Sequence, residues 1–253
     1  MNAKIERKRL DVLLVERGLA ESSHKAQAMI LAGEVEVEQQ RADKAGAILP
    51  ETAHIEVHSR QQKYASRGGM KLEGALQDFR VSAAGKTCLD IGASTGGFTD
   101  CLLQGGAARV YAVDVNTDQL AWKLRGDPRV ARIEKNAREL TAQDLPEFAD
   151  LVVADVSFIS VTKILAGAAA CAKPLADLLI LVKPQFELQR NEVGKGGIVG
   201  EKALHEKAVA GVRSAMEAAG LSVLGAAPSH LPGAEGNQEY FLHARKAAGV
   251  ESR

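Results

Sequence analysis

Two charged side chains lie at the ends of long apolar runs, where they could do acid–base chemistry. Lys183 follows the apolar run 178–182, and Asp155 lies in the candidate strand 150–157. A lysine in such a place is costly to bury without a counter-ion, so the aspartate is its natural partner. One interpretation is a structural ion pair at the rim of a sheet. The other is a catalytic pair, because a lysine whose pKa is lowered by burial can accept a proton, although a nearby carboxylate alone would raise that pKa.

Transfer of a methyl group to a hydroxyl would need such a pair, because a neutral hydroxyl is a poor nucleophile. Two further residues are weaker candidates when taken alone. Lys71 begins a candidate helix just after a Ser-Arg-Gly-Gly stretch, and Glu239 lies in the last candidate strand. By pattern alone, the first is typical of a solvated helix lysine and the second of a surface carboxylate.

A glycine-rich turn occupies residues 89–98. Gly92, Gly96 and Gly97 carry no Cβ, so a ligand could lie against bare backbone there, and the following helix would direct its free N–H groups at the same place. Asp114 ends the next candidate strand, where an acid could hydrogen-bond a ribose diol. The turn resembles the cofactor loop of S-adenosylmethionine-dependent methyltransferases. A dinucleotide site, whose usual glycine spacing is absent, and a purely structural turn are the alternatives.

The chain divides by pattern into a small first part and a larger second part. Residues 9–17 and 25–31 show helical periodicity, with Ser22 or Ser23 available to cap the second helix. Short alternating stretches then predict strands at 34–38, 47–49 and 54–58.

From residue 64 onward the pattern alternates between strands and helices, which is typical of an α/β fold. The candidate strands are 87–91, 109–115, 129–134, 150–157, 177–184, 221–226 and 238–244. The candidate helices are 71–79, 98–103, 118–124, 161–172 and 202–219. The near-continuous apolar strands indicate a parallel sheet covered on both faces, and the last two strands could form a reversed hairpin at its edge.

The overall composition excludes some classes of protein and favours others. The 253 residues have no net charge, with 32 basic and 32 acidic side chains, so the whole chain gives no hint of a polyanionic partner. Cys88, Cys101 and Cys171 lack metal-ligand spacing and lie in apolar stretches, which predicts reduced core residues and no metal site. No segment has the pattern of a signal peptide or a membrane span. We therefore expect a cytoplasmic protein without a membrane partner; the pattern predicts no particular oligomeric state.

Six motifs, in this order, resemble the TlyA (hemolysin A) family, whose members are similar to FtsJ-type ribosomal RNA 2′-O-methyltransferases. They are 66–72, 89–100, 155–160, 181–187, 193–197 and 236–239. The resemblance implies an α/β fold in which a Rossmann-like methyltransferase sheet, mostly parallel and seven-stranded with the last strand reversed, follows a small N-terminal α+β RNA-binding module. The implied segments are an S-four-like (alpha-L) module at 1–58, a linker at 59–65, a methyltransferase domain at 66–246 and a tail at 247–253.

The same resemblance implies 2′-O-methylation of cytidine in ribosomal RNA of the small or large subunit, with S-adenosylmethionine as methyl donor. The catalytic set shared by the relatives falls on Lys71, Asp155, Lys183 and Glu239. We hypothesise that Lys183 receives or steers the hydroxyl proton and that Asp155 orients it, while the other two position the ribose. The residues expected to bind the cofactor are Gly92, Ala93, Ser94, Thr95, Gly96, Gly97 and Phe98 through their backbone, Asp114 at its ribose and Asn136 near its adenine.

RNA contacts are expected from local basic clusters, since the overall charge is balanced. The candidates are Arg7, Lys8, Arg9, Ser22, His24, Lys25 and Arg67. They could follow a phosphate backbone, or they could be solvated surface groups among interleaved acids. Aromatic residues make up 4% of the chain, which disfavours a stacking platform and favours recognition of folded RNA by shape. Lys123 and Arg125 could add contacts near the site, but nothing in the pattern distinguishes them from solvated residues.

Three rival functions remain compatible with these patterns. A non-catalytic RNA-binding or ribosome-assembly factor could keep the fold without binding the cofactor. A pore-forming hemolysin is suggested by the family's historical name. A dinucleotide-dependent oxidoreductase would share the sheet but would have to bind NAD.

Two stretches of the sequence have ambiguous structure. The glycine-rich stretch 192–200 is compatible with a mobile lid, an RNA contact or a flexible connection. The first module often carries Asn-Gly in its hairpin, whereas this chain has Glu38, Gln39, Gln40 and Arg41, which is a weaker turn signal.

Overall fold

The computed structural model describes residues 6–57, 63–233 and 235–248. These residues form two compact units that divide between Gln62 and Lys63. Parts of three expected segments lie outside the described ranges, namely the ends of the first module, most of the linker and the end of the tail: residues 1–5, 58–62 and 249–253.

The first unit contains two short helices and five short strands among its described residues. They are β1 (Arg7–Arg9), α1 (Leu10–Glu16), α2 (Ser23–Leu31), β2 (Val35–Val37), β3 (Gln40–Arg41), β4 (Ile48–Pro50) and β5 (Ile55–Val57). Strand β1 pairs with β4, and β2 lies between β3 and β5. Ser22, rather than Ser23, caps α2, because its hydroxyl accepts a hydrogen bond from the N–H of Lys25. Strand β1 was missed because three successive basic residues show no apolar alternation.

The hairpin between β2 and β3 forms without glycine. Glu38 and Gln39 have φ of 49° and 64°, the left-handed values that a type I′ turn requires at both central positions. Side chains make this conformation costly. Hydrogen bonds to the neighbouring strand hold it in place: the N–H of Glu38 donates to the carbonyl of His54 at 3.0 Å, and the N–H of His54 donates to Oε1 of Glu38 at 2.8 Å.

The second unit alternates between strands and helices. Its elements are α3 (Gly68–Asp78), β6 (Thr87–Ile91), α4 (Gly97–Gln104), β7 (Arg109–Asp114), α5 (Trp122–Arg125), β8 (Val130–Glu134), β9 (Ala149–Ala154), α6 (Leu165–Cys171), β10 (Ala172–Val182), α7 (Pro184–Glu187), α8 (Lys202–Ala218), β11 (Leu221–Pro228) and β12 (Tyr240–Lys246). Short 3-10 turns at Thr117–Gln119, Ala137–Glu139, Ala142–Asp144, Val161–Ile164 and Lys195–Gly197 connect them.

Seven strands of the described chain form one sheet in the order β11-β12-β10-β9-β6-β7-β8. Strand β12 runs antiparallel to both of its neighbours, and the other pairings are parallel. The predicted α/β fold class, with a mostly parallel sheet and a reversed last strand, is confirmed. The predicted edge hairpin forms as well, because β11 and β12 pair antiparallel at one edge of the sheet. Within this hairpin, β11 runs in the common direction and only β12 is reversed.

Both faces of the sheet are covered by apolar cores, as the continuous apolar strands predict. In β10, Leu178, Ile180 and Val182 belong to one core, and Leu179 and Leu181 belong to the other. This alternation follows from the two-residue period of a strand.

The three cysteines are buried and unpaired, as predicted. Burial raises the pKa of the Cys88 and Cys101 thiols to about 12 and that of Cys171 to about 11. They therefore remain neutral thiols that fill space in the two cores.

The predicted helix at 118–124 is wrong. A 3-10 turn and the four-residue α5 replace it, because Leu120 and Ala121 between them are extended. The N–H of Ala121 donates to the carbonyl of Thr95 in the glycine turn at 3.1 Å. This long-range hydrogen bond takes the place of a helical one.

Strands β9 and β10 end earlier than predicted. Asp155 follows β9 instead of lying within it, and Lys183 directly follows β10. Pro184 does not end a strand but begins α7, a position where its missing N–H costs no hydrogen bond. Both charged side chains therefore project from strand ends rather than from strand interiors.

The chain order along the sheet reverses between β6 and β9, which is where open α/β sheets bind ligands. Gly92 leaves β6 with a φ of 86°, and the N–H of Asp155 donates to the carbonyl of Ile91 at 3.0 Å. A Cβ on Gly92 would clash with the carbonyl oxygen of Asp155. The two strand ends are thus in backbone contact, and only glycine fits between them.

Replacing Gly92 with alanine should lower the free energy of unfolding by about 3 kcal/mol or more, because left-handed strain adds to a backbone clash. Gly85→Ala is the matched control, since Gly85 has a φ of 71° and nothing within 4 Å of its missing Cβ. Strain alone should cost about 1–2 kcal/mol there. Urea unfolding of both variants measures the difference, and equal losses would contradict the backbone contact.

Candidate active site

A cavity of about 220 Å³ lies beyond the carboxyl ends of β6, β9 and β10. Its wall contains Lys71 and Lys183, both lysines of the predicted catalytic set, together with Asp155. We name it the lysine cavity. Predicted cofactor residues that also line it are Gly92, Ala93, Ser94, Thr95, Gly97 and Phe98.

A second cavity of about 420 Å³ is lined by two further predicted cofactor residues, Asp114 and Asn136. We name it the aspartate cavity. Four residues line both cavities: Gly92, Ser94, Asp155 and Ser157. The two cavities therefore adjoin at the point where the strand order reverses, and one elongated ligand can occupy both.

Lys183 and Asp155 form an ion pair on the wall of the lysine cavity. Nζ of the lysine lies 2.5 Å from Oδ1 of the aspartate. The contact is off the line of a hydrogen bond, since this Oδ1 has no aligned donor among the described residues. The ammonium instead donates an aligned hydrogen bond to Oγ of Ser157 at 2.7 Å. Ser157 thus sets the direction of one N–H, and Asp155 supplies the counter-charge.

Lys71 and Glu239 form a second ion pair, with Nζ 2.5 Å from Oε2. Both side chains are almost fully buried. Lys71 lines the lysine cavity, whereas Glu239 lies behind it and is not part of the cavity wall. Removing either partner would leave the other as an uncompensated buried charge, which is strongly unfavourable.

The glycines of the turn are required by the packing of the protein itself. A Cβ on Gly96 would clash with Leu124 of α5, and a Cβ on Gly97 would clash with Oγ of Ser66. A Cβ on Gly92 would likewise clash with the carbonyl oxygen of Asp155. Protein atoms occupy the space that these Cβ atoms would need, while the backbone of Gly92 and Gly97 still lines the lysine cavity. Gly96 lines neither cavity.

Asp114 is held in a fixed orientation in the aspartate cavity. Its Oδ2 accepts a hydrogen bond from the N–H of Ser94 at 2.9 Å, and its Oδ1 accepts one from the N–H of Asn116 at 3.1 Å. A carboxylate oxygen can accept a further hydrogen bond. On the same cavity, Oδ1 of Asn136 accepts from the N–H of Arg138 at 3.1 Å.

The glycine-rich stretch 192–200 is fastened at its end by Asn237. Oδ1 of this buried side chain accepts from the N–H of Val199 at 2.9 Å, and its Nδ2 donates to the carbonyl of Gly197 at 2.7 Å. Lys195 and Gly196, in the middle of the stretch, are exposed. A freely flexible connection does not fit this end of the stretch, which is tied close to Glu239.

Asp90 is a fully buried carboxyl in β6, directly before the glycine turn. Its Oδ2 accepts a hydrogen bond from the hydroxyl of Thr99 at 2.6 Å, and its Oδ1 has no partner among the described residues. Burial, opposed by the Thr99 hydrogen bond and assisted by the charge of Asp155, raises the pKa of Asp90 to about 7. The signal in the sequence was an acid inside an otherwise apolar strand.

Three predicted RNA-binding residues are engaged within the first unit. The guanidinium of Arg7 donates to the carbonyl of Ile48 at 3.0 Å, and Nζ of Lys8 lies 3.0 Å from Glu16. Arg9 pairs with Asp11 at 2.7 Å. The hydrogen bonds from this guanidinium are the main reason why the pKa of Asp11 falls to about 2.

The other predicted RNA-binding residues differ in their surroundings. His24 and Lys25 are exposed at the start of α2, and their side chains make no hydrogen bond or ion pair with described residues. The hydroxyl of Ser22 is occupied in capping that helix. Arg67, in the second unit, is exposed on the wall of the lysine cavity.

Ser157 and Asn237 were not singled out by the sequence. Both lie within quoted motifs, but their residue types carry no signal of their own. Only the three-dimensional structure identifies them. Ser157 accepts a hydrogen bond from Lys183, and Asn237 makes two hydrogen bonds to the backbone of residues about 40 positions earlier.

Comparison with known proteins finds similarity along nearly the whole chain. The family model of FtsJ-like methyltransferases matches residues 64–246, and the S4 domain model matches residues 8–55. The 16S/23S rRNA (cytidine-2′-O)-methyltransferase TlyA of Mycobacterium tuberculosis is 46% identical over 241 residues, which cover 94% of this chain and 90% of that protein.

Solved structures agree with this similarity. A protein from Streptococcus thermophilus described as a hemolysin has a TM-score of 0.74 at 40% identity, covering 96% of this chain and 90% of that one. An S-adenosylmethionine-dependent methyltransferase from Listeria monocytogenes has a TM-score of 0.52 at 14% identity, covering 72% and 99%, and shows the fold alone. Within residues 6–57, 63–233 and 235–248, no helix has the length and apolar character needed to cross a bilayer.

Replacing Asp90 with asparagine should flatten the pH dependence of stability between about pH 4 and pH 7. The folded-state pKa of Asp90 lies near 7, above the ordinary aspartate pKa of 3.8, so the folded protein binds the extra proton in this range. Stability should therefore fall as the pH rises, by at most about 1.4 kcal/mol per pH unit. Urea unfolding at several pH values measures the slope. Equal slopes for Asp90→Asn and the parent chain would contradict the raised pKa.

Proposed function

Because the chain belongs to the FtsJ-like methyltransferase family, we propose that it transfers a methyl group from S-adenosylmethionine to the ribose 2′-hydroxyl of a cytidine in ribosomal RNA. A relative with 46% identity is named for this reaction. The single observation that carries the proposal is the ion pair of Lys183 and Asp155 on the wall of a cavity that the glycine turn also lines. An amine, a carboxylate and a cofactor loop at one place suit proton transfer from a hydroxyl.

The two adjoining cavities fit S-adenosylmethionine, which supplies an electrophilic methyl group when bound. Asp114 in the aspartate cavity would accept hydrogen bonds from the ribose diol, and Asn136 would contact the adenine. The first N–H groups of α4 belong to Gly97 and Phe98, which line the lysine cavity and would bind the amino-acid carboxylate. Gly92, common to both cavities, would contact the middle of the cofactor.

Lys183 would manage the proton of the ribose hydroxyl. An ammonium has three N–H donors. One N–H is directed at Ser157, and Asp155 balances the charge. A further position on Nζ is therefore free to contact a substrate hydroxyl in the lysine cavity. In the reactive form, the deprotonated amine of Lys183 would accept the 2′-hydroxyl proton as the ribose oxygen takes the methyl group, whose bond to the sulfur of the donor would break and leave that sulfur neutral. Asp155 and Ser157 stabilise the resulting ammonium, and the proton then passes to solvent.

Lys71 would hold the ribose or its phosphate from the other wall of the lysine cavity. Glu239 pairs with the ammonium of Lys71 and does not line the lysine cavity. We therefore assign it a positioning role that acts through Lys71. Arg67, exposed on the same cavity, suits a phosphate of the bound RNA.

The N-terminal module would capture the RNA. We assign this role to residues 1–58, joined by a linker at 59–65 to the methyltransferase domain at 66–246, and the match of the S4 domain model to residues 8–55 supports it. Among the predicted RNA-binding residues of this module, His24 and Lys25 have side chains without partners in the described residues, so we assign phosphate contacts to them. Ribosomal RNA as substrate is consistent with a cytoplasmic location.

Lys183→Ala should reduce ribose methylation by about 100-fold or more, because it removes the proton acceptor. Its affinity for S-adenosylmethionine should stay close to that of the parent chain. Lys173→Ala is the matched control and should keep full activity: Lys173 lies in the same strand, and its Nζ is 2.7 Å from Asp150 at the opposite end. Transfer of labelled methyl groups to unmodified ribosomal subunits, followed by mapping of ribose methylation, measures the effect.

Two outcomes would contradict this assignment in different ways. Full methylation by Lys183→Ala would show that Lys183 is not the proton acceptor. Failure of the parent chain to bind S-adenosylmethionine in isothermal titration would instead favour the non-catalytic ribosome-assembly factor.

Ser157→Ala should lower kcat by up to about 100-fold without changing the KM for S-adenosylmethionine, since misplacing a reacting group by about 1 Å can cost this much. Ser157→Thr keeps a hydroxyl and should restore most of the rate. Ser160→Ala is the control, because Ser160 belongs to the same motif but donates to Glu187 and lines neither cavity. If Ser157→Ala and Ser160→Ala have the same kcat, the orienting role is wrong.

A further inference from the structure

The only tryptophan of the chain is exposed near the candidate active site. Trp122, the first residue of α5, has 82% of its surface accessible. Tryptophan is usually largely buried, because its ring carries a large apolar surface. In the described ranges, the indole of Trp122 packs on no other ring and on no cation. The fold therefore makes little use of this ring.

Apolar anchors on both sides hold the segment that carries the ring. Leu120 is 1% exposed and Leu124 is 3% exposed. Leu124 occupies the space over Gly96 that a Cβ would need. The exposed indole thus lies between two buried leucines, on a segment seated against the glycine turn.

Polar contacts fix the same segment to the cofactor side of the site. The N–H of Ala121 donates to the carbonyl of Thr95 at 3.1 Å, and Nζ of Lys123 lies 2.7 Å from Oδ2 of Asp100. Gln119, a short distance before the tryptophan, lines the aspartate cavity. The ring is therefore presented by a well-anchored segment next to the cavities.

The charges around the ring leave one arginine without a counter-ion. Arg125, on the same short helix, is exposed, and its guanidinium makes no hydrogen bond or ion pair within the described part of the chain. The nearby acids already have partners: Asp118 pairs with Arg132 at 3.0 Å, and Asp127 pairs with Arg129 at 2.7 Å. An exposed flat ring beside an uncompensated guanidinium matches an unpaired nucleobase and its phosphate.

We propose that Trp122 stacks on an unpaired base of the RNA substrate, with Arg125 on an adjoining phosphate. This inference rests on the proposed function, because it assumes that RNA is the substrate. It gives the methyltransferase domain an RNA contact outside the two cavities, in addition to Lys71 and Arg67. One anchored aromatic ring is compatible with the low aromatic content, which disfavours only a platform of several rings.

Tryptophan fluorescence reports on this position alone, because the chain contains a single tryptophan. The full chain is titrated with a transcribed fragment of ribosomal RNA that contains the methylated cytidine. Stacking predicts saturable quenching of the emission, with the same midpoint as RNA binding measured on filters. S-adenosylmethionine alone should leave the emission unchanged.

Variants separate stacking from a general surface effect. Trp122→Ala should weaken RNA binding by roughly tenfold and raise the KM for RNA, with kcat and cofactor affinity unchanged, while Trp122→Phe should retain most of the affinity. Arg125→Ala should reduce the slope of log affinity against log salt by about one phosphate contact. Leu224→Ala is the control and should have no effect: Leu224 is also apolar and 55% exposed, but it lies on β11 at the other edge of the sheet from β8.

Each outcome decides the inference. Unchanged emission on RNA binding, or parental RNA affinity in Trp122→Ala, would overturn it. A defect seen with whole ribosomal subunits but not with the RNA fragment would assign the ring to a ribosomal protein and would also overturn it. Failure of the parent chain to methylate RNA would count against the proposed function instead, because binding and fluorescence are measured without turnover.

Discussion

The backbone contact between Gly92 and Asp155 is the constraint on which the rest of the site depends. It fixes the end of β6 against the end of β9 at the point where the strand order reverses. Lys183, at the end of β10, then pairs with Asp155. The N–H of Ser94, in the turn after β6, donates to Asp114 at the end of β7. Four adjacent strands thereby place their functional groups relative to one common point. A side chain at position 92 would move the glycine turn away from the acid and disturb both cavities together.

The parts of the site that could be predicted from the sequence are those that follow from strand geometry. Parallel strands end at one edge of a sheet, so a lysine after one apolar strand and an aspartate after another were expected to meet. The pairing of Lys71 with Glu239 has no such basis, because 168 residues separate them and no periodicity connects them. Only the family resemblance brought these two residues into the same predicted set.

Sequence patterns failed where a long-range contact overrides a local preference. The helix predicted at 118–124 is interrupted because Ala121 donates to Thr95. The turn glycines were singled out for a ligand, but the sequence did not reveal that their missing Cβ atoms also make room for neighbouring protein atoms. Ser157 is a residue that the sequence did not single out although the structure places it in the site. Nothing about an isolated serine reveals that it accepts a hydrogen bond from an ammonium on another strand.

The reversed direction of β12 has a consequence for how the nascent chain completes the site during translation. An antiparallel strand begins where its parallel neighbours end, so Glu239, just before β12, lies at the same rim as residues that follow the other strands. Lys71 is translated early, and its carboxylate partner emerges 168 residues later. A nascent polypeptide that has not yet reached Glu239 lacks this counter-ion. Maturation of the pocket is therefore coupled to the synthesis of the segment that precedes β12, and a product truncated before Glu239 would retain most of the sheet without the counter-ion of Lys71.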